Sequence, residues 1–349
     1  AMGSSYVKTL ANLLRIVRRL GPMQRDLVAD GWAAAERAHA DVIVYHPKMF
    51  GAPHYAERLG IPAVLGLLFP QLVPTDAFPA VGFPERDWGM WYNRLTYRIV
   101  LGISGRLARY FSGQWRAEYG LPPIPRGMDF LHRTDGSPIP ILHAFSEHIV
   151  PTPSDWPESA TTTGFWFLDR SSDWTPPDDL YAFLDAGDPP VYIGFGSMAA
   201  RDPERTTRIV LEAVQRAGVR AILATGWGGL TASDVPPTGH LALAAVERVS
   251  AVVHHGGAGT TAAGLRAGRP TVICPFFGDQ PFWGRRIHAL GVGPSPIPQK
   301  ELTPEKLAAA LIQATTDAEM RQRAEALGRE IRSEDGVGRA VDVLEALVA

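Results

Sequence analysis

Short runs of apolar, β-branched residues alternate with amphipathic helical stretches along most of this 349-residue chain. Such alternation is typical of parallel sheets that carry helices on both faces. The runs predicted to be strands are 41–45, 63–68, 141–144, 190–195, 221–225, 251–254 and 271–276. The sequence therefore predicts an α/β fold. Because the chain is longer than one hydrophobic core usually accommodates, we expect two domains.

A proline-rich segment separates the two halves of the chain. Residues 151–190 contain seven prolines, with Asp and Ser between them. Because proline restricts φ and removes a backbone donor, we expect this segment to run over the surface rather than through a core. The predicted domains are 1–170 and 178–330, followed by a C-terminal helical segment, 331–349.

Composition narrows the choice of partners and compartment. The net charge of −2 implies no basic face, so nucleic acid is not an expected partner. Cys274 is the only cysteine, which rules out an intramolecular disulfide and favours a reducing, cytoplasmic compartment. Pro and Gly interrupt the apolar runs well short of the ~20 residues that a transmembrane helix needs. Apart from the pair at 254 and 255, the histidines have no metal-ligand spacing, and no metal site is predicted.

The most informative segment for function is a glycine-rich turn between the predicted strand 251–254 and a predicted helix over 260–266. Backbone amides at a helix start are unpaired, and the glycines let a ligand approach them closely. Hydroxyl groups and a histidine add further donors, a combination suited to a phosphate or diphosphate. The residues predicted to contact a diphosphate here are His255, Gly256, Gly257, Gly259, Thr260 and Thr261.

Two further loops follow predicted strands. Gly196 and Ser197 lie in a turn with the loose pattern G-x-G-x-x-A of dinucleotide-binding proteins, but no acidic residue ends the next strand to hold a ribose. We therefore interpret them as a second wall of the diphosphate pocket. Asp279 and Gln280 supply acceptors and donors suited to vicinal sugar hydroxyls. Trp227, between glycines, can stack on a base or a sugar, or fill a cleft between domains.

At this point the residues resemble a known family. The runs HHGGAGTTAAGLRAGRPTVICPFFGDQPFWG, PVYIGFGSM and ATGWGG closely resemble bacterial family 1 glycosyltransferases, as do WYNRLTY and GFWFLD. Within that family the chain is most similar to the sterol-glucosyltransferase-like and natural-product enzymes of actinobacterial type. The resemblance extends from about residue 10 to the C-terminus and is most specific over 254–280. It implies the GT-B fold, in which two Rossmann-like domains with parallel sheets face each other.

The resemblance also implies roles for residues and a reaction. His255 matches the histidine that contacts the donor diphosphate, Ser197 matches the serine of the opposite loop, and Asp279 with Gln280 match the pair that holds the sugar hydroxyls. The implied reaction is inverting and needs neither a metal nor a cofactor. The final helix usually returns to the first domain. Relatives begin with a strand and glycine-rich loop that carry the acceptor-side base; that unit is not in this sequence, so the first domain is expected to be incomplete and the base cannot be named.

We therefore expect transfer of a hexose from a UDP- or TDP-sugar to a hydroxyl of an apolar small molecule such as a sterol or polyketide. An aromatic-rich stretch over 69–97 suits an apolar acceptor. The main rival hypothesis is a non-catalytic auxiliary protein that binds a nucleotide sugar. The residues also leave open a nicotinamide-dependent oxidoreductase using 194–199 and a sugar-nucleotide epimerase of the same two-domain fold.

Overall fold

The structure, a computed structural model, describes residues 3–129, 131–168, 178–198, 202–226, 230 and 247–349. The chain divides into two compact units. Unit 1 comprises Ala1–Ala144, Pro153–Thr162 and Gly338–Ala349, and unit 2 comprises Phe145–Thr152 and Thr163–Val337. Residues 145–152 and 163–168, which were predicted to lie in the N-terminal domain, thus group with unit 2.

Unit 1 is built on a parallel sheet of four strands in the order β1-β2-β3-β4. The strands are β1 (Ile43–Tyr45), β2 (Ala63–Leu67), β3 (Ile141–His143) and β4 (Ala160–Thr162). Its helices are α1 (Gly3–Ala38), α2 (Ala52–Leu59) and α3 (Met90–Glu118). Every residue of β2 is buried, as expected for a central strand covered on both faces.

The helices of unit 1 pack through a cluster of aromatic rings. Trp115 lies with its ring centroid 5.3 Å from that of Trp32, 5.1 Å from Tyr55 and 4.7 Å from Tyr119. The Tyr55 hydroxyl donates to the carbonyl of Val28 at 2.5 Å. Rings of this size bury a large apolar area, so the cluster fixes α1, α2 and α3 against one another.

Unit 2 contains a second parallel sheet, in the order β6-β5-β7-β8. The strands are β5 (Val191–Gly194), β6 (Ala221–Ala224), β7 (Ala251–His254) and β8 (Thr271–Ile273). Its helices are α4 (Asp178–Asp185), α5 (Pro203–Ala217), α6 (Ala258–Arg266), α7 (Gln280–Ala289), α8 (Pro304–Thr316) and α9 (Ala318–Ser333). The last helix, α10 (Gly336–Val348), belongs from Gly338 onward to unit 1.

Local sequence signals account for both ends of α5. The Asp202 side chain accepts from the amide of Arg205 at 2.8 Å and caps α5, and Gly218 ends the same helix with φ of 64°.

The predicted α/β fold class is confirmed. The prediction that 151–190 forms only a surface connection is wrong, because β4 and α4 lie within it and β4 pairs with β3. No helix in the described part of the chain is both long and apolar enough to cross a membrane.

Candidate functional site

The order of the second sheet reverses at β5, and the candidate site lies at the carboxyl ends of β5 and its neighbouring strands. The chain leaves β5 to form β6 on one side, and β7 then pairs with the other side of β5. In open parallel sheets, ligands bind where the strand order reverses in this way, because the two loops that follow the central strands diverge. The loops after β5, β7 and β8, together with the first turns of α6 and α7, carry all the described residues that were predicted from the sequence to form the site.

The start of α6 offers free backbone donors at this end of the sheet. Its N-cap residue is Gly257, with φ −65° and ψ 144°, and no side chain caps this end. The first helical bond runs from the amide of Thr261 to the carbonyl of Gly257 at 2.9 Å, which leaves the preceding amide groups of the turn without intrahelical partners. A side chain at Gly259 would meet no atom within 4 Å, so the approach to these amides is open. Aligned peptide dipoles also favour an anion at this position.

His255 joins the loop after β7 to the loop after β5. Its ring is 8% exposed and lies against Gly196, where an added Cβ would be 3.0 Å from the ring Cε1. A Cβ at Gly257 would be only 2.5 Å from the ring Nε2, so any larger residue at this position would displace the imidazole. The Nδ1 atom is buried and has no hydrogen-bond partner among the described residues. Burial lowers the pKa of His255, which keeps the ring neutral at pH 7 and leaves it one N–H to donate.

His254, one residue earlier, has a structural role that sequence reasoning missed. It ends β7, is fully buried, and accepts from the amide of Gly256 through Nδ1 at 2.9 Å. Burial, with a smaller effect of His255, lowers the pKa of His254 to about 3. Gly256 itself has φ of 91°, and a Cβ there would lie 2.7 Å from the Ile273 side chain. The neutral His254 ring therefore holds a turn that only glycine can form.

Asp279 and Gln280 sit at the start of α7, after β8. The Gln280 side chain is 5% exposed, and its Oε1 accepts from the amides of Phe276 at 2.8 Å and Phe277 at 3.2 Å. Its Nε2 lies 3.4 Å from Met198 Sδ, in the loop after β5. Asp279 accepts through Oδ2 from the indole N–H of the buried Trp283 at 3.1 Å. The two side chains are thus held in fixed positions, and Gln280 braces one loop against another.

The structure brings together three loops that are far apart in sequence. Gly196 and Ser197 are exposed. Gly196 has φ of 58°, and its carbonyl oxygen lies close to Gly226: a Cβ added to Gly226 would be 2.2 Å from that oxygen. Thr260 is half-buried, whereas the Thr261 hydroxyl is buried and has no hydrogen-bond partner among the described residues. Trp227 lies outside the described residues. Sequence spacing gave no signal for the bracing contacts of His254, Met198 and Trp283.

A pH-dependent stability is expected from His254. Its pKa in the folded chain is depressed to about 3 from 6.5, so the unfolded chain binds more protons between these values and stability falls as the pH drops below 6.5. The slope from this one group is about 1.4 kcal/mol per pH unit. In His254→Asn, the amide oxygen replaces Nδ1 as acceptor without titrating, and this slope should disappear. Urea unfolding of both proteins between about pH 6.5 and about pH 5 measures it; parallel profiles would contradict this role.

The chain is similar in sequence to a family model and to named enzymes. Residues 229–347 match the family model described as erythromycin biosynthesis protein CIII-like, C-terminal domain. The chain is 42% identical over 312 residues to a sterol 3-beta-glucosyltransferase of Arabidopsis thaliana, covering 86% of this chain and 48% of that protein. It is 40% identical over 338 residues to a sterol 3-beta-glucosyltransferase of Emericella nidulans, covering 91% of this chain and 23% of that protein. The chain thus spans about half or less of the length of these relatives.

Solved structures share the fold. The glycotransferase of kitacinnamycin superposes with a TM-score of 0.67 at 22% identity, covering 93% of this chain and 80% of that one. The calicheamicin glycosyltransferase superposes with a TM-score of 0.61 at 19% identity, covering 95% and 83%. The chain therefore has the fold of GT-B glycosyltransferases. The resemblance inferred from the sequence motifs is confirmed. The relatives include the sterol 3-beta-glucosyltransferases named above.

Proposed function

We propose that this protein transfers a hexose from a UDP- or TDP-sugar to a hydroxyl group of an apolar small molecule, a sterol or a similar natural product. The observation that carries the proposal is the uncapped start of α6 at the point where the sheet order reverses, with the neutral His255 beside it. The names of the relatives and of the structurally similar proteins support the same reaction class. Unit 2 would bind the donor, and unit 1 the acceptor.

The proposed donor site uses neutral groups to hold a diphosphate. Amides of the turn from Gly257 to Thr260, the Thr260 hydroxyl and the His255 N–H would donate to its oxygens, and Ser197 would close the opposite side. Asp279, oriented by Trp283, would accept from a sugar hydroxyl, and the Gln280 Nε2 group would donate to a neighbouring hydroxyl, since Gln280 Oε1 already accepts from two backbone amides. Such preorganised donors, aimed at one place, are the arrangement that stabilises charge developing in a transition state.

The proposed reaction is a single in-line displacement. The acceptor oxygen forms a bond to the anomeric carbon, the bond from that carbon to the diphosphate oxygen breaks, and the configuration inverts. The hydroxyl proton leaves to a base that is not among the residues assigned here. The electron pair of the broken bond stays on the nucleoside diphosphate, whose added charge the amides and His255 offset.

Donor and acceptor panels test the proposal. Purified protein is incubated with UDP-glucose or TDP-glucose and with sterols, polyketide aglycones or a polar sugar alcohol. The products are separated by chromatography, identified by mass spectrometry, and assigned an anomeric configuration by NMR. We expect a glycoside with inverted anomeric configuration from at least one apolar alcohol. Saturable donor binding by calorimetry without turnover would instead favour a non-catalytic nucleotide-sugar-binding protein. Absence of both binding and turnover would reject the proposal.

Metal removal gives a separate test. Because backbone amides and His255 are assigned the role of offsetting the diphosphate charge, we expect the transfer rate to be unchanged in excess EDTA and after addition of Mg²⁺ or Mn²⁺. A rate that falls by about tenfold in EDTA and returns on adding a divalent ion would show that the charge is held by a metal, and would contradict the assigned role of α6.

A further inference from the structure

Helix α3 of unit 1 presents a continuous apolar ridge to solvent. Trp91, Leu95, Ile99 and Ile103 follow one another at intervals of four residues and are 63%, 42%, 42% and 45% exposed. Positions four apart advance by only about 40° around a helix, so the four side chains form one line about 18 Å long. Single exposed apolar residues are ordinary on a protein surface, but a contiguous line of large ones marks a contact site.

The ridge extends beyond the start of the helix. Met90 is 65% exposed and Trp88 is 53% exposed, and the Trp88 ring packs edge-on against Tyr92 at 5.0 Å. The opposite side of the helix is buried in unit 1, where Tyr97 and Trp115 contribute to the core. Helix α3 therefore has apolar side chains on two sides. One side is buried in the core of unit 1, and the other is exposed to solvent.

The charged residues of helix α3 are nearly all basic. Helix α3 contains five arginines and a single acidic residue, Glu118, at its last position. Two of the arginines are engaged: Arg94 pairs with Asp76 and Asp155, and Arg116 pairs with Glu57.

The other three arginines lie beside the ridge. At about 100° per residue, Arg106 and Arg109 fall within the sector of the helix from Trp91 to Ile103, and Arg98 lies about 20° outside it, beside Trp91. Arg98 and Arg106 are exposed, Arg109 is half-buried, and none of the three has an ion-pair partner among the described residues. The acidic residues nearest in sequence are Asp87, which precedes the helix, and Glu118, at the last position of the helix. The uncovered face is therefore apolar and positively charged.

We propose that this face of α3 binds the surface of an anionic lipid membrane. The ridge enters the boundary between headgroups and acyl chains, and Arg98, Arg106 and Arg109 contact lipid phosphates. An exposed apolar line with tryptophan at one end and arginines along its side is the composition of helices that lie in a membrane interface. Since no described helix can span a bilayer, the contact is with the surface.

A second copy of the chain fits this face less well than a lipid surface does. A two-fold contact through the ridge would bring Arg98, Arg106 and Arg109 of both copies together, and like charges across an interface oppose association. Anionic lipid supplies the opposite charge. The inference is independent of the donor site. The role of membrane binding rests on the proposed function, because an apolar acceptor alcohol dissolved in the bilayer would reach the enzyme from the bilayer.

Vesicle flotation tests the proposal. The 349-residue chain is mixed with phosphatidylcholine vesicles, with or without phosphatidylglycerol, and we expect it to float only with the anionic vesicles, and less at high salt. The double variant Ile99→Gln/Ile103→Gln should reduce the apparent lipid affinity by about tenfold. The triple variant Arg98→Gln/Arg106→Gln/Arg109→Gln should reduce it by about a hundredfold and remove the salt dependence.

Matched controls lie on unit 2. Leu211→Gln/Ile312→Gln removes two side chains that are 52% and 44% exposed on other helices, and should leave flotation unchanged. Equal loss in this control, equal binding to neutral and anionic vesicles, or no binding by the wild type would each overturn the proposal. A concentration-dependent dimer that Ile99→Gln/Ile103→Gln dissolves would assign the face to a second copy instead.

An activity assay separates this inference from the proposed function. With a sterol embedded in anionic vesicles, Ile99→Gln/Ile103→Gln should transfer sugar about tenfold more slowly than wild type, while both should act equally on a water-soluble alcohol. If no acceptor is glycosylated but flotation behaves as stated, the proposed function fails and the membrane face stands. If the acceptors are glycosylated but flotation is absent, the membrane face fails alone.

Discussion

Replacing His255 with alanine is expected to lower kcat/KM for sugar transfer by about a hundredfold, or about 2.7 kcal/mol of transition-state stabilisation. The ring lies between Gly196 and Gly257, in the loops after β5 and β7, and its environment keeps it neutral. The hydrogen bond from the neutral His255 N–H becomes stronger as the diphosphate gains charge. Loss of this hydrogen bond should therefore lower kcat as well as the affinity for the nucleotide sugar. Initial rates with varied donor concentration measure both.

Two variants control for general effects of the substitution. His288 lies on α7 of the same unit and is exposed, so His288→Ala should retain near wild-type kcat/KM. In His255→Gln, the side-chain amide keeps an N–H donor and should recover part of the lost rate. If His255→Ala and His288→Ala behave alike, or if the donor binds His255→Ala with unchanged affinity and rate, the diphosphate is held elsewhere and the proposed donor site is wrong.

Replacing Arg116 with methionine is expected to destabilise unit 1 by about 1.5–3 kcal/mol, the range for lost hydrogen bonds to a charged group. The Arg116 side chain is 1% exposed and donates to both carboxylate oxygens of Glu57, at 2.5 and 3.0 Å. It also donates to the carbonyl of Pro122 at 2.7 Å, and its Nη1 lies 3.0 Å from His54 Nδ1. Methionine fills similar volume but removes the hydrogen bonds that the buried guanidinium donates to the Glu57 carboxylate, which is 28% exposed, and to the Pro122 carbonyl.

The pH dependence of stability provides a second measurement of the same ion pair. Burial alone would raise the pKa of Glu57, but its interactions with His54 and Arg116 lower it to about 2 from 4.5. Because the folded pKa is depressed, the stabilisation is present above pH 4.5 and is lost as the pH falls toward 2. Arg116→Met should lose stability at neutral pH and show a weaker acid dependence than wild type in urea unfolding.

A surface ion pair serves as the matched control. Arg216 pairs with Glu212 and Glu305, but its side chain is 44% exposed, and exposed pairs contribute little. Arg216→Met should therefore change the free energy of unfolding by less than about 1 kcal/mol. An equal effect of Arg116→Met and Arg216→Met would mean that burial of the Arg116–Glu57 pair adds nothing to the stability of unit 1.

Several elements could be predicted from the sequence because their causes are local. The limits of α5 follow from Asp202, which caps its first turn, and from Gly218, which adopts a left-handed conformation at its end. The strands of unit 2 were predicted from short apolar runs, and the glycine-rich turn was placed correctly between β7 and α6. The short strand β4 could not be predicted, since three residues, Ala-Thr-Thr, carry no periodic signal and pair only because β3 lies beside them.

The sequence by itself determined the class of fold and the segments that form the candidate site, because periodicity, caps and glycine turns act over a few residues. Only the tertiary structure decided the sheet order that makes β5 and β7 neighbours, the packing of His255 against Gly196, and the bracing of Gln280 against Met198. It also decided that Arg116 is buried against Glu57, 59 residues away, while other arginines of α3 remain in solvent. These contacts depend on which surfaces meet after folding, and residue spacing does not record that.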